Sequence, residues 1–332
     1  MNYTLHVDFS EINPQEWNDL LKESITHTPF LRYEYQRAWW EHRGGGEWND
    51  ARLVLIGARE DDKLVGIAPL FIAEYENNPA LLLIGSIEIS DYLDIITRAD
   101  DHARFISGLL DFIARENLPN LDWYNIPDSS ATLAALKSES AARNFTYHEE
   151  IYRPTPRIAL NGDFDEYLSR VEKKQRHEIR RKTRRAEESG RGVRWHISDM
   201  QDVESEIDSF VHLMEQDPNK ANFLKDPMRA QMRAVIRAAH ENGWLWLAFL
   251  EADGKRIAAA LNFDYDNKLW GYNAGVDRAF MDLSPGWVLL THVLQWACEN
   301  KRAEFDFMRG DEEYKYRFGA VNQYVMRAKV TR

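Results

Sequence analysis

Apolar and polar positions alternate along this chain in blocks that occur twice. In the first half, Leu53-Val54-Leu55-Ile56 leads through the turn residues Asp61-Asp62-Lys63 to Leu64-Val65-Gly66-Ile67-Ala68. In the second half, the run from Trp244 to Leu250 leads through Asp253-Gly254-Lys255 to Ile257-Ala258-Ala259-Ala260. Both are strand–turn–strand signals. A third apolar run follows in each half, Leu81-Leu82-Leu83-Ile84-Gly85 and Leu269-Trp270-Gly271-Tyr272-Asn273. A helix is then predicted over Asp101 to Glu116 and again over Ser284 to Asn300, where Val288, Leu289, Val293, Leu294 and Ala297 recur at helical spacing. Each half closes with a short strand around an acid, Leu121-Asp122-Trp123 and Phe305-Asp306-Phe307. The halves read as weak copies of one α/β unit.

The copies differ at the mouth of that helix. In the second half it is Ser284-Pro285-Gly286: a good N-cap residue, a proline suited to the first helical position, and a residue without a side chain. A loop feeding a helix start leaves backbone N–H groups and a positive dipole end free for an anion such as a pyrophosphate. A merely well-capped helix is the alternative. The first half has Asp100-Asp101-His102-Ala103 at the same place. Two carboxylates there favour the helix but repel a pyrophosphate. An anion is therefore expected at the second helix mouth and not at the first.

Composition narrows the class. A chain of 332 residues is long for a single core, and 44% hydrophobic content with 12% aromatics supports filled cores. The 11 Trp residues belong mostly to cores, with an aromatic-lined groove as the alternative. The single cysteine, Cys298, excludes an internal disulfide and reads as a packing residue on the second helix. No His or Cys cluster has metal-ligand spacing, so no metal is expected. The first twenty residues lack the pattern of a signal peptide, and no apolar stretch suffices to span a bilayer, so a cytoplasmic location is expected.

Charge is uneven. The chain carries −12, which argues against DNA binding, yet Arg170 to Arg194 holds eleven Lys/Arg against four Asp/Glu. A helix is predicted from Phe164 to Gly190, with a thin apolar stripe of Leu168, Val171 and Ile179. A solvated helix is the plain reading of such a run. A one-signed excess also suits a local anionic partner, for which Arg176 and Arg180 are candidates.

The block Ser284 to Gly319 resembles the C-terminal half of the CelD/BcsL group of acetyltransferases, within the GNAT superfamily and close to its FemABX branch. The resemblance extends through Pro29-Phe30-Leu31, Val65 to Leu70, and Ser90-Asp91-Tyr92-Leu93-Asp94. Helix–strand–strand–strand–helix–strand is the GNAT order. The fold implied is α/β with tandem GNAT-like domains, each a mixed twisted sheet flanked by helices: residues 1–160, a basic linking helix over 161–195, and 196–332. By this resemblance Ser284, Pro285, Gly286 and Trp287 hold the pyrophosphate of acetyl-CoA or another acyl-CoA, although the usual Arg/Gln-x-x-Gly-x-Gly signature is absent. Gly271 to Gly275, with Tyr272, Asn273 and Ala274, corresponds to the splayed strand beside the thioester, where glycines permit close backbone approach. In the FemABX branch a pattern like Lys174-Gln175-Arg176 and Ile179-Arg180-Arg181-Lys182 lies near phosphate-bearing substrate.

Thioester aminolysis needs a proton acceptor for the amine, donors for the oxyanion and help for the leaving thiolate. The resemblance places Tyr314 as the acid. Base candidates are Asp306 and Asp311, with Glu312 and Glu313 close by; a structural Asp306 and a water relay are the alternatives. Asp91, Tyr92 and Asp94 are candidates on the acceptor side, or Asp94 caps backbone. Arg309 and Lys315 either pair with the loop acids or hold an anionic acceptor. The expectation is an acyl-CoA-dependent N-acyltransferase acting on a cell-envelope or exopolysaccharide-related acceptor, a small molecule, glycan or peptide that can carry phosphate. The alternatives are a FemABX-like aminoacyl transferase, the only reading that involves tRNA, and a non-catalytic module of polysaccharide biosynthesis.

Overall fold

The computed structural model describes residues Met1–Arg332. The chain divides into two compact units, Met1–Pro154 with Tyr324–Arg332, and Thr155–Gln323. The expected division at 160 and 195 therefore differs from the observed one at both ends. The basic segment lies inside the second unit, and the last nine residues complete the first.

In the first unit the strands are β1 (Asn2–His6), β2 (Arg52–Glu60), β3 (Lys63–Tyr75), β4 (Asn78–Leu83), β5 (Ile96–Thr97), β6 (Asn120–Pro127) and the first part of β7 (Thr146–Ala159). The helices are α1 (Pro14–Lys22), α2 (Tyr33–Glu41), α3 (Arg43–Gly46), α4 (Ala99–Arg115) and α5 (Ala131–Ala142). β1 to β4 pair antiparallel in chain order, and β4 then runs parallel to β6 at Ala80↔Asn120 and Leu81↔Leu121. The chain's last strand pairs antiparallel with β6 from Val325↔Pro127 to Val330↔Leu121. Trp17, Trp39, Phe71, Phe105 and Trp123 are fully buried here.

The second unit contains α6 (Phe164–Arg170), α7 (Lys173–Glu187), β8 (Arg194–Ile197), α8 (Val203–Glu215), α9 (Pro218–Phe223), α10 (Asp226–Glu241), β9 (Leu245–Ala252), β10 (Lys255–Tyr265), β11 (Lys268–Val276), α11 (Pro285–Glu299), β12 (Glu304–Asp306) and α12 (Glu313–Arg317). β13 (Val321–Thr331) begins here and ends in the first unit. β8, β9, β10 and β11 form an antiparallel run, β11 is parallel to β12, and β12 pairs antiparallel with the end of β7. The core gathers β9, β10 and α11 through Trp246, Leu250, Ile257, Val288, Val293 and Leu294, with Ile179 and Ala186 from α7.

The two units thus repeat one arrangement: three antiparallel strands, a helix, and a strand parallel to the third. Fold class is α/β, each unit a mixed sheet flanked by helices. One predicted element differs. The helix expected over Phe164–Gly190 is two helices, because Val171 is extended at φ −72° and ψ 142°. Its β-branched side chain is buried and reaches 3.4 Å from where a Cβ on Gly319 would sit.

Candidate functional site

β11 is where the second unit opens. Its parallel pairing with β12 covers Lys268↔Glu304, Leu269↔Phe305 and Trp270↔Asp306, and there β12 ends. On the other side β11 stays paired with β10 as far as Val276, apart from a bulge at Tyr272, where Leu261↔Asn273 gives way to Asn262↔Gly271. Residues Gly271–Val276 therefore keep one edge unpaired with any strand. Ala274 sits opposite Ala260, and both of its backbone polar groups turn to that free edge. This is the geometry of a non-hydrogen-bonded pair in an antiparallel ladder.

Two side chains occupy that edge. Asn273 Oδ1 accepts from the Ala274 N–H at 2.9 Å, and Lys220 Nζ donates to Asn273 Oδ1 at 2.8 Å and to the Ala274 carbonyl at 2.5 Å. Burial pulls the Lys220 ammonium below its ordinary value, against the charges of Asp217 and Glu312. The glycines of this strand serve packing. A Cβ on Gly275 would meet the backbone of Leu213 and Met214 in α8 at 2.4 Å, and one on Gly271 would meet the Phe305 ring at 2.9 Å. Close approach is thus made by α8 and β12, where the sequence suggested a ligand. Tyr272 lies against Phe263, ring centroids 4.7 Å apart.

The end of β11 lies against the start of α11. A Cβ on Gly286 would be 3.2 Å from Val276 Cγ1. Ser284 adopts the left-handed conformation (φ 53°, ψ 52°), and its side chain makes no capping bond, contrary to the expected N-cap. Its carbonyl still accepts from Val288 N at 3.0 Å. Pro285 has no N–H, and the Gly286 and Trp287 N–H groups have no partner within the helix. The free edge of β11 and an uncapped helix mouth are therefore adjacent. Trp287 stacks near Phe318 at 4.6 Å, with Lys182 Nζ 4.0 Å over its ring.

Past β12 the chain turns through Met308 and Gly310, both at positive φ. Lys315 holds this turn. It is 2% exposed and its Nζ donates to the Met308, Arg309 and Gly310 carbonyls at 3.3, 2.8 and 3.3 Å, and pairs with Glu312 at 2.8 Å. It is a loop staple, with none of the freedom an acceptor-binding lysine needs. Burial works to raise the Glu312 carboxyl, but Lys315 outweighs it and the pKa is lowered. Arg309 is half-buried in the same turn and Asp311 is exposed. Asp306 is fully buried, tied to Arg157 Nε at 3.0 Å and to Met308 N at 2.7 Å. Tyr314 is 45% exposed and edge-on to Phe307 at 5.9 Å. Burial around its hydroxyl, then the Glu312 charge, pushes its pKa up to about 12.

The remaining expected residues lie apart from this edge. Arg176 donates to the Leu168 and Ser169 carbonyls at 3.3 and 3.1 Å, closing the end of α6. Arg180 pairs with Asp165 at 3.0 Å. A cavity of about 690 Å³ runs between α7 and the middle of α11, lined by His177, Arg180, Arg181, Arg184, His292 and Gln295 among others. In the first unit, Tyr92 is 1% exposed and Asp91 half-buried. Asp94 is sealed: it accepts from Thr26, Ser130 and Thr132 hydroxyls at 2.6, 2.5 and 2.6 Å and from Ile95 N at 2.8 Å. That set leaves no room for a substrate contact. The opening equivalent to the β11–β12 divergence is filled here by the chain itself. Leu93 N donates to Asn125 O, and Asn125 Nδ2 donates to the Ile87 and Ser90 carbonyls.

No group of three or more His, Cys, Asp or Glu side chains is placed to hold a metal, and no helix is long and apolar enough to cross a membrane. Lys220 is the site residue that the motifs did not indicate. Asp217-Pro218 signals a helix start, but nothing local tells which strand its first turn faces.

Residues 173–316 match the family model of the acetyltransferase (GNAT) domain. The match lies within the second unit and supports a GNAT-type acyltransferase there. No curated protein sequence matches it. Among solved structures it is similar to FemX, at 15% identity and a TM-score of 0.67 over 98% of this chain and 97% of that one. It is also similar to a conserved protein of unknown function from Bacteroides thetaiotaomicron VPI-5482, at 11% identity and a TM-score of 0.64 over the full length of both. L-PGS from Bacillus licheniformis aligns at 12% identity and a TM-score of 0.58, over 96% and 92% of the two chains. These likenesses are of fold.

Proposed function

We propose that the chain is an acyl-CoA-dependent N-acyltransferase whose donor lies along the free edge of β11 with its pyrophosphate at the start of α11. The carrying observation is the adjacency of an unpaired strand edge, Gly271–Val276, and an uncapped helix mouth at Ser284–Trp287. The first is a strand edge with no strand partner, along which an extended amide-bearing arm can lie beside Lys220 and Asn273, and the second offers N–H groups and a dipole to an anion. Tyr314 donates to the departing thiolate. The acceptor is an amine of a cell-envelope or exopolysaccharide-related compound, a reading that rests on the resemblance to the CelD/BcsL group.

One observation favours an aminoacyl-tRNA donor as a second reading. Lys173, Lys174 and Arg184 on α7 form no ion pair and present a cationic face to solvent. Thermal unfolding with acetyl-CoA, with charged tRNA and with neither separates the two. A ligand at 100 times its dissociation constant adds about 2.7 kcal/mol when it binds the folded state alone. A rise with acetyl-CoA and none with charged tRNA is expected. The reverse pattern would replace the first reading by the second.

A further inference from the structure

We infer that Lys220 is the general base of this acyl transfer, taking the proton from the acceptor amine at the free edge of β11. The inference rests on the donor reading above and adds to it the group that activates the nucleophile.

The placement of Lys220 is specific. α9 starts at Pro218 with Asp217 as N-cap, whose carboxylate accepts from Asn219 N and Lys220 N. None of its six residues is buried, and Lys220 is the one that is half-buried, the other five being exposed. The helix thus turns one side chain inward, onto Asn273 and Ala274. A neutral lysine amine has two N–H bonds and one lone pair. Asn273 Oδ1 and the Ala274 carbonyl take two of the three positions on Nζ, so in the neutral form the lone pair is the one left over. Desolvation of the ammonium supports the neutral form.

The other candidate bases are engaged or remote. Asp306 is held by Arg157 and a backbone N–H, Glu312 by Lys315, and Asp311 projects from the turn into solvent. The charged groups acting on Lys220 are Asp217 from its own N-cap and Glu312 from the turn before α12. The contacts from β11 are neutral. α8, packed on α9, contributes His212 and Glu215, the latter paired with Arg229.

The protons balance. The acceptor ammonium gives one proton to the Lys220 lone pair, and the neutral amine attacks the thioester carbonyl. When the C–S bond breaks, Tyr314 gives its proton to the thiolate, and the second proton leaving the nitrogen passes through water to the Tyr314 phenolate and restores it. The products are the amide, CoA thiol and one proton released from Lys220 to solvent.

The test uses the full chain labelled with 15N at lysine Nζ, the Lys220 resonance being the one lost in Lys220→Met. The expected result is titration below the ordinary lysine value of about 10.4 and a shift of the resonance on adding acetyl-CoA. With acetyl-CoA and glucosamine, the rate of thiol release should rise with pH through that titration. Lys220→Arg keeps two donors for Asn273 and Ala274 but offers no basic lone pair, so acetyl-CoA affinity should be retained. Its kcat should fall roughly 10²–10⁴-fold and the rising limb should move toward the acceptor's own pKa. Titration at or above the ordinary value, or a Lys220→Arg enzyme with unchanged kcat and pH profile, would overturn the assignment and leave the donor reading intact. A wild-type chain with no calorimetric affinity for acetyl-CoA would overturn both.

Discussion

Tyr314 enters α12 with its ring against Phe307 and its hydroxyl at a pKa of about 12. A phenol in that range is protonated throughout pH 6–10, so it can donate to a thiolate but gives the rate no pH limb of its own there. Tyr314→Phe removes the donor and keeps the ring. We expect kcat to fall roughly 10²-fold, the low end of general-acid effects since a thiolate already leaves fairly well, with KM for acetyl-CoA unchanged. Steady-state thiol release by both enzymes over pH 6–10 checks this; full kcat in the variant would make Tyr314 a packing residue. Tyr314 entered the reading through the family resemblance, which gives its place in the chain and not its surroundings. Asp94 and Lys315 were not readable in the same way. Their residue types suit substrate binding, and only the three hydroxyls around one and the three carbonyls around the other identify them as internal supports. Lys220 is the converse case, an unremarked lysine that folding carries to the β11 edge left open where β12 ends.

At the scale of elements, the decisive contact is α8 on β11. Gly275 has no side chain because the Leu213–Met214 backbone occupies its place. Gly275→Ala must push α8 off the strand or distort β11, and an overpacked site of this kind costs about 3 kcal/mol. Gly286→Ala meets only a Val276 methyl at 3.2 Å and should cost under about 1 kcal/mol. Urea denaturation of the two variants gives the comparison, and equal losses would contradict the packing role of Gly275. The glycines stood out in the sequence, but their reason did not. A glycine signals close approach without saying by what, and α8 is more than sixty residues away in the chain. The break between α6 and α7 was hidden for a related reason. Lys-, Arg- and Glu-rich composition favours helix throughout Phe164–Gly190, whereas the extended Val171 answers to tertiary burial.

At the scale of the molecule, the duplication was legible because it is written in repeated apolar runs and turns. Its completion was not: β13 leaves the second unit and pairs with β6 in the first, a pairing between segments about two hundred residues apart in the chain. The structural difference between the two copies was half visible. Asp100 and Asp101 mark the first helix mouth as hostile to an anion, and the structure adds that the first unit's opening is filled by its own chain at Ile87, Ser90 and Leu93. The second unit leaves Gly271–Val276 without a strand partner beside an uncapped α11. The central claim is that this edge and this helix mouth hold one acyl-CoA. Calorimetric titration of acetyl-CoA into the wild type and into Gly286→Glu, which places a carboxylate at the α11 mouth, tests it most directly. The account predicts one site per chain in the wild type and no measurable heat of binding in a variant that still folds. Two sites, or the same affinity in Gly286→Glu, would contradict it.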